Sequence, residues 1–207
     1  ATVIGMVASE PYLGAARNSR SHPDAHYEHG DARRMRYPDA SFDACVSTLA
    51  IDVIPEVEEV AAEMRRVTRP GGVVASGAFD FWGGFSAQDP VIDTGSVLDE
   101  GVRALRNFLK NRSIVQPNGQ ARLWQAVGLT EVVEAPIVLS FDYASFEDYW
   151  SSFSTGPTRI AQRLTAMASE VSAEIERHVR HGYLAGQPDG PRSFAIIVRA
   201  VRGIVAK

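Results

Sequence analysis

The chain has 207 residues, 45% hydrophobic and 22% charged, an average composition sufficient for one large domain or two small ones. Its formal charge of −4, from 21 basic and 25 acidic residues mixed along the sequence, offers no nucleic-acid footprint and no patch for a lipid surface. The single cysteine, Cys45, excludes a disulfide scaffold, and no apolar stretch is long enough to span a bilayer. Cys45 lies in an apolar run, so a buried inert thiol is expected. The opening Ala1-Thr2-Val3-Ile4-Gly5 lacks the basic region of a signal peptide, and a cytoplasmic location is the default expectation.

Thr2 to Val7 is short, apolar and β-branched, which predicts a buried strand. Ser9 as N-cap and Pro11 in the first turn predict a helix over Tyr12 to Asn18. Ala25 to Glu28 reads as a short strand and Phe42 to Ser47 as another buried strand. Val57, Val60, Ala61, Met64 and Val67 recur at helical spacing, and the helix they define stops at Arg69-Pro70-Gly71-Gly72. Val73 to Phe81 is a strand, Ser96 to Leu109 a helix, and Gly119 to Val127 a helix closed by Gly128. Glu131 to Phe141 is a strand bent at Pro136. Phe146 to Phe153 and Ile160 to Val179 are helical, and Ser193 to Val201 closes the chain as a strand. Alternating strands and helices favour a largely parallel sheet covered on both faces.

Four stretches carry a family resemblance: VIGMVASEPYLGAAR, HGDARRMRYPDASFDACVS, EVEEVAAEMRRVTRPGGVVASG and DGPRSFAIIVRAVRG. In this order and spacing the chain resembles the class I S-adenosylmethionine-dependent methyltransferases, with the small-molecule enzymes of the UbiE type as the nearest subgroup. The resemblance implies an α/β, Rossmann-like, doubly wound sheet of that type whose last strand runs antiparallel, in a single methyltransferase-like domain over residues 1–207. It implies S-adenosylmethionine as cofactor and S-adenosylhomocysteine as product. The cofactor-binding positions it gives are Val7, Ala8, Tyr12, Asp31, Ala32 and Thr48. Phe81 and Trp82, after the fifth strand of the family, are expected to line the substrate side.

The residues agree with part of this. In an open α/β sheet the ligand lies across the carboxyl ends of the strands. A carboxylate at Asp31 can accept from the amino group of adenine, and the Ala32 amide can donate to a ring nitrogen. The alternative is that Asp31 only forms a turn after Gly30, bonded to its own backbone. Asp43 is expected to be structural. Phe81 and Trp82 read either as an aromatic wall or as a cap under a loop. Phe146, Trp150 and Phe153 at helical spacing are core. The five histidines are scattered without metal-ligand spacing, so no metal is expected. Arg33-Arg34-Met35-Arg36 is expected to be a solvated turn.

Two departures from the family pattern stand out. No G-x-G-x-G occurs in the 207 residues, and the chain opens at what matches the family's second strand. The first strand and the glycine loop are therefore expected in further N-terminal sequence, about 40 residues by ordinary element lengths. The acidic residue that ends the second strand and bonds the ribose hydroxyls in the family is Val7 here. Glu10 is near in sequence but starts a helix. The expected function is methyl transfer to a small molecule by a monomer or homodimer, with neither nucleic acid nor membrane as partner. The alternative is a methyltransferase-like binding or regulatory protein without turnover. An NAD(P)-dependent oxidoreductase shares the sheet logic, but the last strand and the Gly-Asp-Ala turn argue against it.

Overall fold

The computed structural model describes residues 1–19 and 22–207. Among these it has six strands and eight helices: β1 Val3–Val7, α1 Glu10–Asn18, β2 Ala25–His29, β3 Phe42–Thr48, α2 Val57–Val67, β4 Thr68–Phe79, α3 Asp89–Leu98, α4 Glu100–Lys110, α5 Gly119–Ala126, β5 Leu129–Tyr143, α6 Phe146–Ser154, α7 Arg159–Ala166, α8 Ser169–Leu184 and β6 Arg192–Val205. The strands form a parallel pair, β1 with β2, and a four-stranded sheet in the order β3-β4-β6-β5.

The first half follows the sequence pattern closely. Pro11 occupies the first turn of α1, where its missing N–H costs nothing, although the Ser9 side chain makes no capping bond. The apolar stripe of α2 buries Val57, Val60, Ala61, Met64 and Val67. Its last turn holds Arg65 and Arg66, which suit the negative end of a helix. Gly71 then takes φ +75, a backbone conformation that favours glycine.

Three expectations need correction. The sheet is mixed rather than largely parallel, while its last strand, β6, lies between β4 and β5 and runs antiparallel as the resemblance implied. The helix expected over Ser96 to Leu109 is two helices. Asp99 leaves helical geometry at φ −138 and ψ 130, and its carboxylate accepts from the Val102 amide to cap α4. The helix expected over Ile160 to Val179 also divides, at Met167 and Ala168, where both residues leave helical geometry. In addition β4 ends at Phe79, not Phe81.

The chain divides into two compact units. The first comprises residues 1–76, 121–133 and 201–207. Its core includes Leu13, Ile51, Val60, Met64, Val74, Trp124 and Val201, each no more than 3% exposed. The second comprises residues 77–120 and 134–200. It buries an aromatic cluster of Tyr143, Phe146, Tyr149, Trp150, Phe153 and Tyr183. The Tyr149 hydroxyl donates to the Ala87 carbonyl at 2.8 Å, satisfying the buried group, and Phe194 stacks on its ring. Among the described residues no helix is long and apolar enough to cross a membrane.

Candidate functional site

The carboxyl ends of β1 and β2 meet in register, with Val7 opposite His29. Beyond them the Gly30 amide donates to the Val7 carbonyl at 3.1 Å. A Cβ at Gly30 would meet the Met6 side chain, a flexible group that would have to shift to make room. His29 Nε2 lies 3.2 Å from the Ala8 carbonyl and 4.0 Å from the Glu10 carboxylate. Val7, Ala8, Asp31 and Ala32 are thus brought to one place through Gly30 and His29. Tyr12 follows in the first turns of α1, with its side chain half exposed. Thr48 ends β3, in the other sheet.

Asp31 forms the turn that was one of its two readings. Its Oδ1 accepts from the Arg33 amide at 2.9 Å, and its carbonyl accepts from the Arg34 amide at 3.0 Å. The carboxylate is also gripped by the Arg33 side chain: Nε lies 3.0 Å from Oδ1 and 3.1 Å from Oδ2, and Nη2 is 2.8 Å from Oδ2. Arg33 Nη1 reaches Glu56 Oε2, also at 2.8 Å. Arg33 thus lies in a solvated turn, as expected, but pairs there with two carboxylates. D-x-R is a common spacing, and the second partner lies 23 residues away, so the sequence carried no signal for this clamp.

These hydrogen bonds from Arg33 hold the Asp31 carboxyl down at about 2, against an ordinary 3.8. A folded-state value below the unfolded one stabilises the pair above pH ~4, and that contribution is lost as the pH falls through about 2. A pH titration of the Asp31 carboxyl carbon by NMR is expected to show the depressed midpoint. In Arg33→Gln the midpoint should move up toward 3.8. An unchanged midpoint would remove Arg33 as the cause.

The rest of the loop is held by α2. Arg66 donates to the carbonyls of Met35 and Tyr37 at 3.0 and 2.8 Å, and to Asp39 at 2.7 Å. Glu63 accepts from the Met35 amide at 2.7 Å and from Arg66 at 2.6 Å. The Tyr37 hydroxyl donates to Glu28 of β2. Burial and that carboxylate push the phenol up to about 12, so it stays a donor at neutral pH. Asp43 pairs with Arg69 at 2.7 Å, tying the start of β3 to that of β4. Burial pushes the Cys45 thiol up to about 11, which agrees with an inert residue.

In the second unit Phe81 is buried beside Phe79 and Phe85, while Trp82 is 56% exposed. The intervening turn is built by Asp80, a residue the sequence reading passed over. Its Oδ1 accepts from the Trp82 amide at 2.9 Å, and its carbonyl from the Gly84 amide at 3.0 Å. Its Oδ2 receives Arg199 at 2.7 Å. Among the described residues no group of three His, Cys, Asp or Glu could hold a metal ion.

Comparison with known proteins finds methyltransferases by sequence and by fold. Residues 1–76 match the sequence model of the methyltransferase domain family. The whole chain superposes on a crystal structure from Bacillus halodurans C-125 at a TM-score of 0.60 and 14% identity, covering 84% of that chain. It also superposes on phosphoethanolamine N-methyltransferase 2 of Haemonchus contortus in complex with S-adenosyl-L-methionine, at a TM-score of 0.54 and 11% identity, covering 44% of that chain. Its α/β fold is thus that of known methyltransferase structures, and its first 76 residues match the methyltransferase domain family. In sequence it is similar to a demethylmenaquinone methyltransferase of Renibacterium salmoninarum, 35% identical over 127 residues, which is 60% of this chain and 50% of the relative. The chain spans between 19% and 50% of the length of the first curated relatives it matches.

Proposed function

We propose that this chain binds S-adenosylmethionine and transfers its methyl group to a small-molecule acceptor. The observation that carries the reading is the junction at the ends of β1 and β2, where Asp31 emerges beside Val7 and Ala8 on a loop pinned by α2. A ligand at the carboxyl ends of parallel strands is the rule for such sheets. Asp31 supplies an ionised acceptor for the adenine amino group, and Ala32 a neighbouring amide. Tyr12 and Thr48 are the further cofactor positions, and Phe81 and Trp82 the acceptor-side pair. The cofactor, when bound, supplies an electrophilic sulfonium methyl. The protein aligns donor and acceptor and excludes water, so no side chain is assigned a bond-making role.

The fit is good at Asp31 and poor at Val7, whose side chain cannot accept from ribose hydroxyls. That valine favours a second reading, in which the protein binds the cofactor without turnover. Demethylmenaquinone and malonyl-acyl-carrier-protein methyltransferases among the relatives support a small acceptor. We further propose a cytoplasmic single domain that is completed by another strand. β1 and β3 are apolar, yet Val3 and Val46 are 56% and 64% exposed, unlike residues of a finished parallel sheet.

Calorimetric titration of S-adenosylhomocysteine into the full-length protein tests binding. Asp31→Ala is expected to weaken it by about 1–3 kcal/mol, the cost of an unmet buried hydrogen bond. Equal affinity would reduce Asp31 to a turn residue. Release of S-adenosylhomocysteine from S-adenosylmethionine with candidate acceptors separates turnover from binding alone.

A further inference from the structure

We propose that Arg33 is a positioning residue for cofactor recognition: it fixes the Asp31 carboxylate so that one lone pair of Oδ2 faces the base. This rests on the reading that Asp31 meets the adenine amino group. Each carboxylate oxygen offers about two acceptor directions. Those of Oδ1 are taken by the Arg33 amide at 2.9 Å and by Arg33 Nε at 3.0 Å. Oδ2 is bonded by Nη2 at 2.8 Å along the guanidinium edge, with Nε bridging at 3.1 Å. The outer side of Oδ2 is what remains for a ligand.

A fork of this kind sets the plane of the carboxylate as well as its charge, which a point charge cannot do. The far side of the guanidinium is anchored in turn. Its Nη1 bonds Glu56 at 2.8 Å, at the residue that precedes α2. The base-facing loop and the entry to α2 are thereby joined through one side chain. The three side chains are 39% to 47% exposed. Pairs so exposed add little to folding stability, so the clamp can be removed without unfolding the protein.

The test compares two ligands on the full-length protein by calorimetry: S-adenosylhomocysteine and its 6-deamino analogue, which has purine in place of adenine. Sites built to bond a polar group reject the analogue that lacks it. The wild type is expected to prefer the adenosyl ligand by about tenfold, one hydrogen bond's worth. Arg33→Gln should cut that preference to about threefold or less, through the adenosyl ligand alone, because a neutral side chain cannot hold the carboxylate plane. In an Asp31→Ala background the preference is already reduced, and Arg33→Gln should change it no further. A merely structural Arg33 would weaken both ligands equally and leave the ratio intact, which overturns the proposal while Asp31 keeps its role. If Asp31→Ala itself leaves the ratio unchanged, the reading of Asp31 fails and this inference with it. The ratio is unaffected by any fraction of misfolded variant, since both ligands meet the same sample.

Discussion

Arg199→Leu is expected to lower the free energy of unfolding by about 3–5 kcal/mol, the cost of removing one partner from a buried ion pair. Arg199 lies on β6 with Nη2 2.7 Å from Asp80 and Nη1 3.9 Å from Glu134. Those carboxylates are only 7% and 6% exposed. Asp80 would be left charged and poorly solvated, beside a second acid that had been neutralised by the same cation. The loss would reach the Trp82 turn, because Asp80 organises it through the Trp82 amide. Urea denaturation followed by circular dichroism measures the effect. Adding Asp80→Asn to Arg199→Leu should recover part of it, since the amide removes one unpaired charge while keeping an acceptor for Trp82. A loss below about 1 kcal/mol would place the pair with ordinary surface bridges.

The second large effect is at Gly72, where alanine is expected to cost about 3 kcal/mol, at the upper end for overpacking. A Cβ there would lie 2.7 Å from the Asp43 carbonyl oxygen, 2.8 Å from that of Arg69 and 2.6 Å from the Thr68 methyl. Two of these atoms are backbone and cannot rotate away, so β3 and β4 would have to shift. The neighbouring Gly71 gives the control. It has φ +75 but no atom closer than 3.8 Å, so alanine costs only its backbone strain, about 1–2 kcal/mol. Thermal or urea unfolding of both variants should rank Gly72→Ala the less stable. The reverse order would mean that conformation, not space, requires this pair of glycines.

The sequence was most legible where period and punctuation agreed. The stripe from Val57 to Val67 and the stop at Pro70-Gly71-Gly72 gave α2 at its observed bounds, because the same residues that set the period are those buried. β1, β2 and β3 were found within a residue or so, each a short run between turn residues, although β1 and β3, read as buried, leave Val3 and Val46 exposed. The double helix breaks were hidden. Val97 fits the helical period read through Asp99 but is 75% exposed, so periodicity alone joined two helices that Asp99 separates. The antiparallel last strand was implied by the family resemblance, but its place between β4 and β5 was not, since no local pattern records where β6 inserts. The candidate site divides the same way. Asp31 and Ala32 announced themselves by resemblance. Arg33, Glu56, Asp80 and Arg199 act through partners remote in sequence and could be found only in three dimensions.

Asp99 serves two elements with one carboxylate. Oδ1 caps α4 through the Val102 amide at 2.8 Å, and both oxygens hold Arg163 of α7, at 2.8 and 2.6 Å. The amide protons at the start of α4 are thus guarded by a contact 64 residues away. When α7 pulls back, the cap loses its fixed carboxylate and the first turn of α4 frays with it. Hydrogen exchange should therefore show the two segments opening as one cooperative unit, with a shared protection energy, rather than as two helices fluctuating separately.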